Sequence, residues 1–280
     1  MVTTGFADHF STVASAYARF RPRYPAALFD RLAELAPQRG RVWDCATGSG
    51  QAAAVLAEHF ERVIGADASI GQVAAAQRDG AATERCALVA ARAEHSGLRS
   101  ASVDLVTVAQ ALHWFATPAF FAEVRRVLRP GGLFAAWSYG PFSLDDPAVD
   151  DLLQDFARRV VGPFWPPERR LVDTGYRSIE IPMAEMSIDE AFAPDGLPTL
   201  DLDMTLPDLI GYVSTWSATQ RARAAAESDP LVELERELHT AWPTESGALR
   251  AEWPLALRLA RRSAAPAPIP SRPSPIEPTP

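Results

Sequence analysis

The densest chemistry in the sequence is a glycine turn. Gly48-Ser49-Gly50-Gln51-Ala52-Ala53 has the form G-x-G-x-x-A and stands between a short apolar run, RVWDCA, and a helical pattern, QAAAVLAEHF. Asp67 ends the next apolar run, RVIGAD. Glycines at this spacing let a ligand approach the backbone, and an acid closing the following strand can accept hydrogen bonds from ribose hydroxyls. The pattern is that of a nucleotide-binding turn. A tight strand-to-helix turn with no ligand would use the same glycines, so the surrounding residues have to discriminate.

Asp44 does so. A dinucleotide would set its pyrophosphate on the N-terminus of the helix that follows the turn. A carboxylate four residues before Gly48, inside the strand end, would oppose a pyrophosphate. It would suit a ligand carrying an ammonium and a sulfonium.

Positioning such a turn requires a sheet. After Arg41, apolar runs alternate with helical patterns: RVWDCA, RVIGAD, CALVAA, SVDLVTVAQAL and LFAAW are the strands. A helix with Thr117 as N-cap and Pro118 in its first turn carries Phe120, Phe121, Val124, Val127 and Leu128 on one face. Alternation of this kind implies a parallel sheet covered on both faces. Before it, two helical stripes are expected, the second with Pro25 in its first turn. After Tyr139 the alternation stops. A helix opens at Asp146-Pro147, a GPFWPPERR loop follows, Ile179 and Ile181 read as a half-buried strand, and Leu200 to Met204 alternate with acids. Further helices begin near Pro207 and Asp229-Pro230, and Trp253, Leu255, Leu257 and Leu259 read as one last strand at an antiparallel edge.

Composition narrows the chemistry. The 280 residues carry a net charge of −8, and all 27 basic residues are arginine. Without lysine there is no P-loop or kinase lysine and no Schiff base. The acidic balance lacks the basic stripe of a nucleic-acid binder, and no apolar run reaches the ~20 residues that span a bilayer. MVTTGFADHFSTV has no charged n-region followed by an apolar core. Cys45 and Cys86 make neither a disulfide framework nor a metal spacing, so no metal is expected. These features read as a cytoplasmic protein. Its partners are expected to exclude nucleic acid and membrane. Residues 264–280 hold seven of the 24 prolines and read as a disordered, polyproline-like tail.

Taken together, the motifs resemble a family. Asp44-Cys45-Ala46-Thr47-Gly48-Ser49-Gly50 is similar to the D-x-G-x-G-x-G motif of class I S-adenosylmethionine-dependent methyltransferases, with Ala46 in place of the first glycine. Gly65-Ala66-Asp67-Ala68-Ser69, Val103-Asp104-Leu105-Val106 and Arg126 to Gly132 resemble three further family signatures in the right order. The stretches Tyr17 to Pro25, Ala111 to Phe115 and Gly162 to Trp165 are similar to its trans-aconitate methyltransferase-like, small-molecule subgroup.

The resemblance implies a doubly wound, Rossmann-like, seven-stranded sheet. It implies one domain over 1–263, with a helical lid (1–39), a cofactor core (40–140), a cap after the fifth strand (141–250) and a last strand (251–262). The cofactor would be S-adenosylmethionine and the partner a small-molecule acceptor, methylated at a carboxylate or hydroxyl oxygen with release of S-adenosylhomocysteine. Cofactor contacts would come from Tyr17, Asp44, Ala46, Gly48, Gly50, Asp67, Ala68 and Gln110. The departure at Ala46 raises the question of whether that position needs a positive φ. Arg92 stands where many members have an aspartate, and a guanidinium cannot accept from an adenine amino group. The adenine contacts then fall to the Ala93 backbone and Glu94.

Two roles are open to His113, beside Trp114: a base that takes a proton from the acceptor, or a hydrogen-bonding residue that positions it. A carboxylate acceptor is already ionised near pH 7 and needs no base. It needs cations, which here are arginines: Arg21, Arg23, Arg169 and Arg170, the last two beside Trp165. Two other readings share the turn. One is an NAD(P)-dependent oxidoreductase, which lacks the Tyr-x-x-x-Lys pair, and the other is a non-catalytic cofactor-binding homologue.

Overall fold

The structure is a computed structural model that describes residues 20–226, 228–243 and 247–264. The Tyr17 position and most of the proline-rich tail lie outside the described residues. The first half winds α1 (Ala26–Leu35), β1 (Arg41–Cys45), α2 (Gln51–His59), β2 (Arg62–Asp67), α3 (Ile70–Arg78), β3 (Cys86–Ala90), β4 (Val103–Ala109), α4 (Pro118–Val127) and β5 (Leu128–Tyr139). The second half adds β6 (Ser143–Leu144), α5 (Pro147–Asp155), α6 (Arg169–Asp173), β7 (Ala184–Glu185), α7 (Ile188–Ala191) and β8 (Leu200–Met204). It ends with α8 (Leu206–Ser214), α9 (Ser217–Ala225), α10 (Leu231–Ala241), β9 (Leu249–Trp253) and β10 (Leu255–Arg261).

Seven strands form one sheet in the order β3-β2-β1-β4-β5-β10-β7. The five strands β1 to β5 are parallel, and β10 runs antiparallel to both β5 and β7. The order reverses between β1 and β4, and a doubly wound sheet opens its ligand crevice at that point, outside the carboxyl ends of the strands. Local sequence explains the elements beside it. Thr117 caps α4 by accepting from the Phe120 N–H, and Ser69 caps α3 by accepting from the Gln72 N–H.

Several expectations need correcting. The last strand is two strands. Pro254 has no N–H for a ladder, and there the chain leaves a second, three-stranded sheet (β6-β9-β8) and enters the large one, so Trp253 and Leu257 serve different sheets. β10 is not an edge strand, because β7 lies outside it. Ile179 and Ile181 are buried but lie in a turn-rich connection, with the nearby strand β7 at Ala184–Glu185. The sheet is also not covered on both faces throughout. The connection from β3 to β4 contains no helix, and on that face Ala87 is exposed and Val89 is 38% exposed.

The division into lid and cap is less clean than the sequence suggests. Within the expected lid, α1 lies in the main core, where Leu28, Phe29 and Leu32 pack in a cluster with Trp137 and Leu257. Within the expected cap, the chain returns to the large sheet. Val172, Tyr176, Ile179 and Ile181 join Val106 and Phe134, while Ala191 and Phe192 join the α1 cluster. Other cap residues form their own core around Phe142, Leu153, Leu209, Tyr212 and Trp216, joined there by Trp253 from the expected last strand. Among the described residues no helix is long and apolar enough to cross a membrane.

Candidate functional site

The carboxyl ends of β1 and β2 carry two carboxylates around the glycine turn. Asp44 is 1% exposed. Its Oδ2 accepts from the Thr47 hydroxyl at 2.6 Å, and its Oδ1 accepts from the Thr107 hydroxyl at 2.7 Å. Thr107 is the register partner of Asp44 on β4, which explains why a hydroxyl stands among Leu105, Val106 and Val108 in that strand. Burial raises the Asp44 pKa to about 6, the two hydroxyls hold it back, and the charge of Asp67 adds to the rise. Each oxygen keeps a second lone pair for a cationic group.

Asp67 is half-buried, with Oδ2 accepting from the Gly48 N–H at 3.0 Å and Oδ1 from the Ser69 N–H at 2.8 Å. Burial raises its pKa, and the two N–H donors counter that. The turn itself has left-handed backbone at Ala46 (φ 56), Gly48 (φ 55) and Gly50 (φ 77). Position 46 thus does adopt a positive φ, with an alanine in it. A Cβ on Gly50 would come within 2.5 Å of the Ala81 Cβ, whereas the space beside Gly48 is open. Ala68 is exposed, and two residues on, Ile70, which opens α3, is a large apolar side chain 74% exposed. Ala93 is half-buried, and Glu94, also half-buried, pairs with exposed Arg92 at 3.5 Å.

A second group gathers at the ends of β4 and β5. Gln110 donates through Nε2 to the Tyr139 carbonyl at 3.2 Å. Arg21 donates to the Tyr139 hydroxyl at 3.3 Å and lies 5.1 Å from the Tyr212 ring centroid, which places it between the large sheet and α8 of the cap. Beyond Gln110, His113 meets Trp114 (ring centroids 4.6 Å apart), and its Nδ1 lies 3.1 Å from the hydroxyl of fully buried Tyr176. Burial first, and the Arg169 charge second, push the His113 pKa down to about 4, so the ring is neutral near pH 7. Arg169 lies 4.5 Å from the Trp165 ring centroid and pairs with Asp173. Arg23 and Arg170 are exposed and make no hydrogen bond or ion pair with these groups among the described residues.

Sequence reasoning missed Tyr176, Thr107, Tyr139 and Ile70. Backbone geometry marks the same region. Of the four described non-glycine residues with positive φ, three belong to it: Ala46, Gln110 and Tyr176. Such residues persist where the surroundings over-determine them, commonly at binding sites. Two carboxylates facing an open left-handed turn form an acceptor-rich cradle, matched to an ammonium and a diol rather than to a phosphate. Both thiols are unsuited to nucleophilic chemistry: burial pushes Cys45 well up and Cys86 to about 11.

Comparison with known proteins points the same way. Residues 43–136 match a family described as a methyltransferase domain. A Dictyostelium discoideum protein described as a methyltransferase is 33% identical over 247 residues, 87% of this chain and 90% of the relative. A Saccharomyces cerevisiae protein described as an S-adenosylmethionine-dependent methyltransferase is 31% identical over 128 residues, 44% of each chain. A solved structure from Anaeromyxobacter dehalogenans, described as a type II methyltransferase, is 41% identical with a TM-score of 0.77. The match covers 88% of this chain and all (100%) of that one. The oxidoreductase alternative is not favoured.

Proposed function

The chain belongs to the S-adenosylmethionine-dependent methyltransferases, and from that premise we propose that it methylates an oxygen, by preference a carboxylate oxygen, of a small molecule held between the ends of β4 and β5 and the cap. The observation that carries this reading is the pairing of two unlike halves. One is the acceptor-rich cradle of Asp44, the Ala46–Gly50 turn and Asp67, and the other is the neutral His113 beside the Arg169 cation.

In this reading Asp44 faces the ammonium end of the cofactor, Asp67 accepts from its ribose hydroxyls, and the turn backbone at Ala46, Gly48 and Gly50 lies against it. Ala68, the Ala93 backbone, Glu94 and the apolar Ile70 border the adenine, and Gln110 borders the sulfonium end. Tyr17 belongs with these contacts by resemblance. S-adenosylmethionine supplies the electrophilic methyl group when bound and leaves as S-adenosylhomocysteine.

The acceptor side follows from charge. Arg169, Arg21 and the Trp165 and Trp114 rings offer cations and apolar walls; Arg23 and Arg170 are the weaker candidates because they are exposed. His113 with a pKa near 4 is a weak base at pH 7. It fits a carboxylate acceptor, already ionised, which His113 orients by a hydrogen bond. Placing that oxygen in line with the methyl group, in a site closed by the cap, then does the chemistry. The trans-aconitate methyltransferase-like resemblance supports the same acceptor class.

The test is an acceptor screen with radiolabelled methyl donor, run on separate panels of carboxylic acids and phenols. Label in carboxylic acids is expected; label confined to phenols or amines overturns the carboxylate preference and makes His113 a base. In parallel, calorimetry of S-adenosylhomocysteine binding is expected to show Asp67→Ala weakened at least tenfold, and equal binding by wild type and variant overturns the cofactor assignment.

A further inference from the structure

At the opposite end of the strands, three arginines stand in one row. Arg41 opens β1 and is the register partner of Arg62, which opens β2. Arg85 directly precedes β3, one residue before the Val63–Cys86 register pair, so it is the neighbour of Arg62 in the same row. In-register residues on parallel strands face the same side, about 4.8 Å apart from strand to strand. The three line a cleft of about 430 Å³ whose lining also includes Ile64, Ala87, Thr83 and Glu84.

Among the described residues no carboxylate neutralises this row, and the half-buried Arg41 donates through Nη1 only to the Ser102 carbonyl, at 3.4 Å. Arg62 and Arg85 are exposed, and no ion pair among the described residues engages any of the three, Glu84 included. The nearby Asp104 carboxylate is already taken by the Arg129 side chain and the Arg41 backbone N–H. Like charges directly opposite on neighbouring strands are unfavourable, and the chain as a whole is acidic, at −8. The cleft exists because the β3–β4 connection lacks a helix that would cover this face.

We propose that this row is an anion site, separate from the cofactor end, that takes a diphosphate group, either free or carried by a nucleotide. A guanidinium presents a planar fork of N–H donors that pairs two-pronged with phosphate oxygens. A single phosphate satisfies one or two such forks, whereas a row spanning three strands fits adjacent phosphates. Ile64 and Ala87 give the cleft an apolar floor that a bare inorganic ion does not need and a nucleoside would use.

The inference is independent of the acceptor reading and has its own test. Isothermal calorimetry on the full chain with inorganic pyrophosphate is expected to show saturable binding, weakened at least tenfold in the double variant Arg62→Gln/Arg85→Gln. Both side chains are exposed, and a thermal melt checks the fold of the variant. ADP binding more tightly than pyrophosphate assigns the nucleotide-borne form, and the reverse assigns the free ion. No binding of pyrophosphate or ADP, equal binding by the double variant, or sulfate and citrate binding as tightly at matched ionic strength overturns the proposal.

Discussion

Position 46 shows how a single residue can carry a local cost for a site. Its φ of 56 lies in the left-handed region, where a Cβ costs roughly 1–2 kcal/mol, part of which glycine gives back by its freer unfolded chain. Ala46→Gly is therefore expected to stabilise the protein by about 0.5–1 kcal/mol, read as a higher urea midpoint at unchanged slope. The titratable pair gives a signed pH dependence. His113 is held at about 4 against 6.5 when unfolded, so the unfolded chain binds a proton between those values that the folded chain refuses. Its contribution is intact above pH 6.5 and is lost as pH falls toward 4, and His113→Gln is expected to flatten that acid slope in melting temperature. Asp44 acts oppositely, since its folded value is raised from 3.8 to about 6. Its protonation favours the fold below pH 3.8, and that contribution is lost as pH rises through 6. A ligand ammonium facing Asp44 prefers the ionised form, so S-adenosylhomocysteine, which carries one, is expected to bind less tightly below pH 6 in wild type and to lose that dependence in Asp44→Asn. Of these residues, Asp44, Asp67 and the glycines were legible because their spacing is local. Tyr176 was not, since it reaches His113 from 63 positions away out of a turn.

At the scale of elements, the sequence discloses whatever depends on short-range rules. Thr117 and Pro118 announce α4, and the Thr117 hydroxyl does accept from the Phe120 N–H at 3.3 Å. Thr117→Ala is expected to cost about 1 kcal/mol, visible as a lower urea midpoint. Side-chain alternation is blind to which sheet a strand joins, so the pattern from Trp253 to Leu259 reads through Pro254 as though nothing happened there. Likewise, Ile179 and Ile181 alternate because both are buried, and burial alone does not supply a neighbouring strand for their backbone. The bare face of β3 was hidden for a related reason. Ala87 and Val89 are ordinary strand residues, and only the helix-free β3–β4 connection shows that nothing lies over them.

Across the described molecule, two hydrophobic clusters on the large sheet and a third around the small sheet share one chain that passes between the sheets repeatedly. It leaves the large sheet after Tyr139, returns near Val172, goes back to the small sheet at Leu200 and re-enters at Leu255. Calorimetry is expected to show a single cooperative unfolding transition, and two resolved transitions would contradict the coupling. Trp253 sits at the last crossing, stacked on Phe142 (centroids 4.8 Å apart) and donating to the Tyr212 hydroxyl at 2.9 Å. Trp253→Ala is expected to lower that whole transition, at a cost of roughly 3–5 kcal/mol, rather than to melt one core alone. The ends of the excursion meet, because Tyr139 and Leu255 are register partners on adjacent strands. Exchange of the segment between them with that of a relative would keep the strand ladder closed at its splice points. Partial exchange would not: a graft that took only the helices packed around the small sheet would cut away Tyr176 and Phe192, so this protein permits the segment to be recombined only as one uninterrupted block.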